Sequence, residues 1–178
     1  MKTFIEIGSC DFGTLNHFPS KGGWNGVIVD PIKKYLDNIE KSDNVKYVNS
    51  AISDDRGAKK MYVFNDDIVN SDRDFAGMST MHPTDSNMKY MDEVMVNSIT
   101  YKDLLESNNI EQVDYLKIDT EGHDMNILKT VIFEGPLRPS IIKIEHKHCD
   151  LKEMSDFLVN NNYHIDVQAD DIFCISLT

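Results

Sequence analysis

Two carboxylates, Asp119 and Glu121, stand two residues apart at the end of the apolar run Val113 to Ile118 and lead directly into Gly122. Open α/β sheets present ligands at such strand ends, where a carboxylate can accept a proton or help to hold a divalent cation. Glu121 also has a plainer reading, in which it only complements the positive end of the helix that follows. Glu145, His146 and His148 close a later apolar run, and His82 lies in an acidic stretch earlier in the chain. Histidine titrates near neutral pH and so suits base catalysis, although a lone histidine more often has a structural role. The cluster His146-Lys147-His148-Cys149 has the look of metal ligands. No second Cys/His pair is spaced to complete a zinc site, so no metal site is assigned.

The second constellation opens the chain. Phe4-Ile5-Glu6-Ile7 reads as a buried strand and runs into Gly8-Ser9-Cys10-Asp11-Phe12-Gly13, while Val27-Ile28-Val29 reads as another strand, closed by Asp30-Pro31. Gly8 permits a tight turn and close approach of a ligand to bare backbone, and Gly13 can open a helix. Asp30 follows Gly8 by 22 residues, where nucleotide-binding α/β folds place the carboxylate that meets ribose hydroxyls. The pattern therefore suits a nucleoside-bearing ligand. Asp30 also fits a helix N-cap, since Pro31 and a helical pattern follow it.

Positioning these groups requires a parallel sheet. Strands are expected near 3–7, 26–30, 45–52, 113–119 and 140–146, alternating with helices near 32–41, 123–133 and 151–160, a pattern that places helices on both faces. The runs 163–167 and 172–177 are separated by a connection too short for a parallel crossover, so the sheet should end in a hairpin with an antiparallel last strand. Residues 65–93 interrupt the pattern with seven acids against two bases. This stretch reads as a loop insertion, either a lid whose Met78, Met81, Met88 and Met91 pack over a substrate or a loop those methionines tether to the core.

The 178 residues fit one domain. No apolar run is long enough to span a bilayer, and Phe4 to Ile7 is too short for a signal-peptide core. Three cysteines without paired spacing suit buried thiols and a cytoplasmic setting. A net charge of −12 would repel nucleic acid and anionic membranes, which favours a small acceptor.

The run Val113-Asp114-Tyr115-Leu116-Lys117-Ile118-Asp119-Thr120-Glu121-Gly122 resembles the K-I-D-x-E-G signature of the FkbM family of S-adenosylmethionine-dependent methyltransferases. Glu6-Ile7-Gly8, Asp30-Pro31 and Ser98 to Leu105 agree in order and spacing, so the resemblance spans roughly residues 3–146. It implies a Rossmann-like class I methyltransferase sheet, and the terminal hairpin is similar to that class. By resemblance, Glu6, Gly8, Ser9, Asp11 and Gly13 belong to the loop around the methionine part of S-adenosylmethionine. Asp30 and Pro31 would meet the ribose, Ala51 and Ile52 the adenine edge, and Asp119 the methionine amine. Asp119 and Glu121 would serve the reaction centre, with Glu145 and His82 as lesser candidates for the base. The implied acceptor is a hydroxyl of a small, sugar-like molecule.

The chain departs from the commoner family pattern by one extra residue between Gly8 and Gly13. It also starts almost at the first strand, which leaves the site open or completed by a second subunit. Three rivals remain. A nicotinamide-dependent dehydrogenase would need a second mononucleotide-binding half. An RNA 2'-O-methyltransferase is loosely suggested by Asp119, Lys143 and Glu145 and opposed by the acidity. The third rival is a non-catalytic cofactor-binding module.

Overall fold

The computed structural model describes all 178 residues. The chain forms β1 (Lys2–Ile7), β2 (Trp24–Val29), α1 (Lys33–Asn38), β3 (Val45–Val48), β4 (Ala51–Ile52), β5 (Gly57–Phe64), α2 (Asp66–Ser71) and α3 (Asp85–Met88). It continues through β6 (Met91–Ile99), α4 (Tyr101–Asn108), β7 (Tyr115–Ile118), α5 (Asp124–Phe133), β8 (Ile141–Glu145), α6 (Leu151–Asn160), β9 (Tyr163–Gln168) and β10 (Asp171–Ser176). Seven strands make one sheet in the order β3-β2-β1-β7-β8-β10-β9. Neighbours from β3 to β8 pair in parallel, while β10 runs antiparallel to both β8 and β9. The architecture is the mostly parallel α/β sheet with an antiparallel last strand that the pattern implies.

Apolar residues on both faces of β1 and β2 explain their central place. Phe4 and Ile28 face Leu36 of α1 and Ile39, whereas Ile5, Ile7, Val27 and Val29 share a core with Leu104 of α4 and Ile127, Leu128 and Val131 of α5. Thr100 and Asp103 form a reciprocal cap at the start of α4, each side chain accepting the other's backbone N–H, which fixes where β6 gives way to helix. No helix is long and apolar enough to cross a membrane.

Two expectations need correction. The run 45–52 is not one strand: β3 stays in the main sheet, whereas β4 leaves it to pair with β6. Asn49 sits at the break and donates its side-chain amide to the carbonyls of Asp30 and Pro31, a use of the chain that apolar patterning does not reveal. The segment 65–93 is also more than a loop. It spans α2, a 3₁₀ turn (Arg73–Met78), α3 and the first residues of β6, and it connects the antiparallel partners β5 and β6 of a second sheet ordered β4-β6-β5. Met78, Met81 and Met91 pack against the core of that sheet, and Met88 is exposed.

Candidate active site

The end of β1 is a built cradle. Glu6 is fully buried, and its carboxylate accepts the Thr14 N–H and hydroxyl, the Leu15 N–H, and the Lys117 ammonium at 3.3 Å. Lys117 also reaches Asp119 at 3.2 Å. Burial pulls the Lys117 pKa down, but Glu6 and Asp119 outweigh it and the net shift is upward. Gly8 adopts φ +81°, and a Cβ there would lie 1.8 Å from the Asp119 carbonyl oxygen, so only glycine lets β1 and β7 meet at this point. Cys10 stands in the left-handed region at φ +46° and donates its N–H to Asp30 Oδ2 at 2.8 Å. Burial pushes its thiol up to about 12, which disfavours the thiolate form.

Asp30 therefore joins two elements, since its other oxygen accepts the Ile32 N–H at 2.8 Å. Burial raises its pKa to about 6 against the pull of these two bonds. Each oxygen keeps acceptor capacity for a further donor. The N-cap reading is half right: Asp30 makes this local turn, but Ile32 occupies the cap of α1.

A cavity runs from Asp30 and Pro31 past Ser50, Ala51 and Ile52 to Gly8, Asp119 and His123. Ala76, Gly77, Ser79 and Met81 of the insertion line it as well. Its enclosed space is about 50 Å³, room for only a few waters. Among the residues expected around a cofactor, Gly8, Asp30, Pro31, Ala51, Ile52 and Asp119 line this cavity. Glu6 instead lies beneath the loop, and Gly13 packs on Ile39. Ser9 is buried at the rim of an adjoining cleft, and Asp11 is ion-paired with Arg73 of the insertion.

That adjoining cleft holds Asp119, Glu121, Glu145 and Lys147. Asp124 organises the loop above it, accepting the Thr120 N–H at 2.8 Å and the Gly122 N–H at 2.9 Å. This is the helix-start role the sequence offers to Glu121, so Glu121 is free for another use. Its backbone takes φ +54°, its carbonyl accepts the Thr80 hydroxyl at 2.6 Å, and its carboxylate lies 2.9 Å from His148 Nε2. Burial raises the Glu121 pKa while His148 opposes the rise. Glu145 is pushed up to about 8, first by burial and then by Asp119 and Glu121.

His82 is held over this loop by its N–H bond to Thr80. Its Nε2 lies 3.1 Å from His123 Nδ1, and His123 Nε2 lies 3.2 Å from the Ser53 hydroxyl, which donates to Asp54. Burial, then His82, lowers the His123 pKa. His123, Asp124, Ser53 and His148 were not singled out for these roles in the sequence. Asp124 left a local signal there, a carboxylate two residues past Gly122 at a helix start, and His148 left one in the cluster from His146 to Cys149.

A model of the methyltransferase FkbM domain matches residues 6–165. No curated protein matches the sequence. Among solved structures, a chain of the fibrillarin/Nop5p complex aligns with TM-score 0.50 and 13% identity over 97% of this chain and 70% of that one. Fibrillarin of Methanococcus jannaschii, a pre-rRNA processing protein, gives 0.49 and 12% over 98% and 65%. TrmK of M. capricolum, solved with its cofactor product S-adenosyl-homocysteine, gives 0.46 and 12% over 98% and 60%. The sheet is that of the Rossmann-like class I methyltransferases.

Proposed function

The chain belongs to the FkbM methyltransferase family, and we propose that it transfers a methyl group from S-adenosylmethionine to a hydroxyl of a small, sugar-like acceptor. The observation that carries this reading is the cavity that links Asp30 to Asp119 along the C-terminal edge of the parallel strands. The residues fit the cofactor: Asp30 keeps acceptor capacity for two ribose hydroxyls, Ala51 and Ile52 line the cavity where they would meet an adenine edge, and Gly8 and Asp119 line its other end, where they would meet the methionine part. When bound, S-adenosylmethionine supplies an electrophilic methyl group whose sulfonium leaves as the acceptor oxygen attacks. The chain's own task is then mainly to hold the two reactants close and in line.

The acceptor's proton goes to a base; Asp119, Glu121 and Glu145 line the cleft, and His82 stands behind them against His123, which lines the cavity. His82 has an exit path through His123 and Ser53 to Asp54. Ala76, Gly77, Ser79 and Met81 of the insertion line the cavity, which supports reading this segment as a lid that moves aside as the ligands enter. The acidity of the whole chain supports a small acceptor over RNA.

Calorimetry should find saturable binding of S-adenosylmethionine and S-adenosylhomocysteine with little affinity for NAD. Asp30→Ala should weaken that binding by about 1–3 kcal/mol, the loss of hydrogen bonds to a charged acceptor. Labelled methyl incorporation screened over saccharides, small metabolites and RNA tests the acceptor; labelling of RNA alone would overturn it.

A further inference from the structure

We propose that Glu121, Glu145 and His148 form a binding site for a first-row divalent cation beside the reaction cleft. One ligand atom from each residue, two carboxylate oxygens and an imidazole nitrogen, lies within 4.8 Å of the others. Glu121 Oε2 and His148 Nε2 are 2.9 Å apart, about the spacing of adjacent ligands around an ion held by bonds of about 2.0–2.2 Å. A hydrogen bond accounts for that pair by itself. It does not account for Glu145, whose Oε2 is enclosed and has no hydrogen-bond partner. A buried carboxylate oxygen left bare is a costly arrangement that calls for a cation or a donor.

The three ligands come from two strand ends. Glu121 follows β7, and Glu145 and His148 bracket the turn after β8. The spacing rule that discounts His146 to Cys149 looks for a second nearby pair, whereas the partner here is supplied by a segment more than twenty residues earlier. The donor set selects the metal class. Mg²⁺ and Ca²⁺ prefer oxygen alone, while one imidazole with two carboxylates suits Mn²⁺ or Zn²⁺. Lys147 borders the same cleft and offsets part of the negative charge. Three protein ligands leave coordination positions for water or a hydroxyl, and a cation there makes a hydroxyl easier to deprotonate. That catalytic consequence rests on the methyl-transfer reading, but the binding itself does not.

The test uses the whole chain, treated with EDTA, dialysed, and titrated with MnCl₂ without methyl donor or acceptor, so metal binding and methyl transfer can fail independently. Calorimetry and the loss of the free Mn²⁺ paramagnetic resonance signal should report one site per chain, and Zn²⁺ should displace Mn²⁺ with higher affinity. Glu145→Gln and His148→Ala should each weaken Mn²⁺ binding at least about tenfold, while Glu153→Gln, on the outer face of α6, should leave it unchanged. Absence of saturable binding, or binding that survives both substitutions, overturns the proposal. So does a Glu145→Gln variant that binds Mn²⁺ normally but loses affinity for S-adenosylmethionine, because Glu145 would then serve the methyl donor.

Discussion

Glu6 and Glu145 end neighbouring regions of one sheet edge, and their surroundings are opposite. Glu6 is fully buried with four donors around its carboxylate. Glu145 has an enclosed oxygen with none. Buried polar groups in folded proteins are normally satisfied, so a satisfied one reports what the fold itself requires, and a bare one points to something outside the chain. By that criterion the β1 end is scaffold, a platform that shapes the loop from Gly8 to Leu15. On the proposed methyl-transfer reading, the β7 and β8 ends form the working surface.

The most severe way to break this contrast is Glu6→Ala, which strands three backbone or hydroxyl donors and weakens the hold on buried Lys117. It should cost about 3–5 kcal/mol in denaturant unfolding, and a loss under 1 kcal/mol would mean that Glu6 is not scaffold. Next, Asp119→Asn and Glu121→Gln should keep the fold and each lower turnover by about 10²-fold. Wild-type turnover in both variants, measured on the true acceptor, would remove the working surface from β7.

Asp30, at the end of β2, sharpens the comparison because it both ties down the Cys10 turn and lines the cavity. Its folded pKa of about 6 lies above its ordinary value of 3.8, so the native state takes up the proton more readily than the unfolded chain. The stabilisation from that proton is fully present below about pH 4 and is lost as pH rises through 6. Measured against Asp30→Asn, whose side chain does not titrate, the parent should lose about 2–3 kcal/mol between pH 4 and 7. A flat difference would show that ionised Asp30 is as comfortable in the fold as in water. The smallest effect belongs to Glu145→Gln, which should leave stability within about 1 kcal/mol of the parent at neutral pH in chelator, since no partner is lost.

Much of this was legible in the chain because it is local. An apolar run, Gly8, and an acid at the end of the next strand specify the first crossover, and the residues from Lys117 to Gly122 mark the other side of the site. The terminal hairpin was readable for the same reason, its strands being separated by a tight turn. The strands β5 and β6 were not. Their partners are as far apart as Gly57 and Ser98, and the connection between them carries helical turns, so no short turn announces the pair. The break at Asn49 was hidden because Ala51 and Ile52 continue the apolar run while pairing with another sheet. The links among Ser53, His123 and His82 join residues up to 70 positions apart, which spacing along a chain does not encode.

The pairing of β5 with β6 has a further consequence for the cover of the site. Phe64 lies opposite Met91, and the Asn65 N–H donates to the Tyr90 carbonyl at 3.0 Å, so the insertion leaves and re-enters the body of the protein at almost the same point. A swap of residues 66–89 for a two-residue Asn-Gly turn would close β5 and β6 into an ordinary hairpin, but it would uncover the second core, where Val69 and Ala76 are buried and Met78 and Met81 pack. The strand pairing thus fixes the two ends of the segment, while its interior is held by contacts to the second core and to the cavity wall.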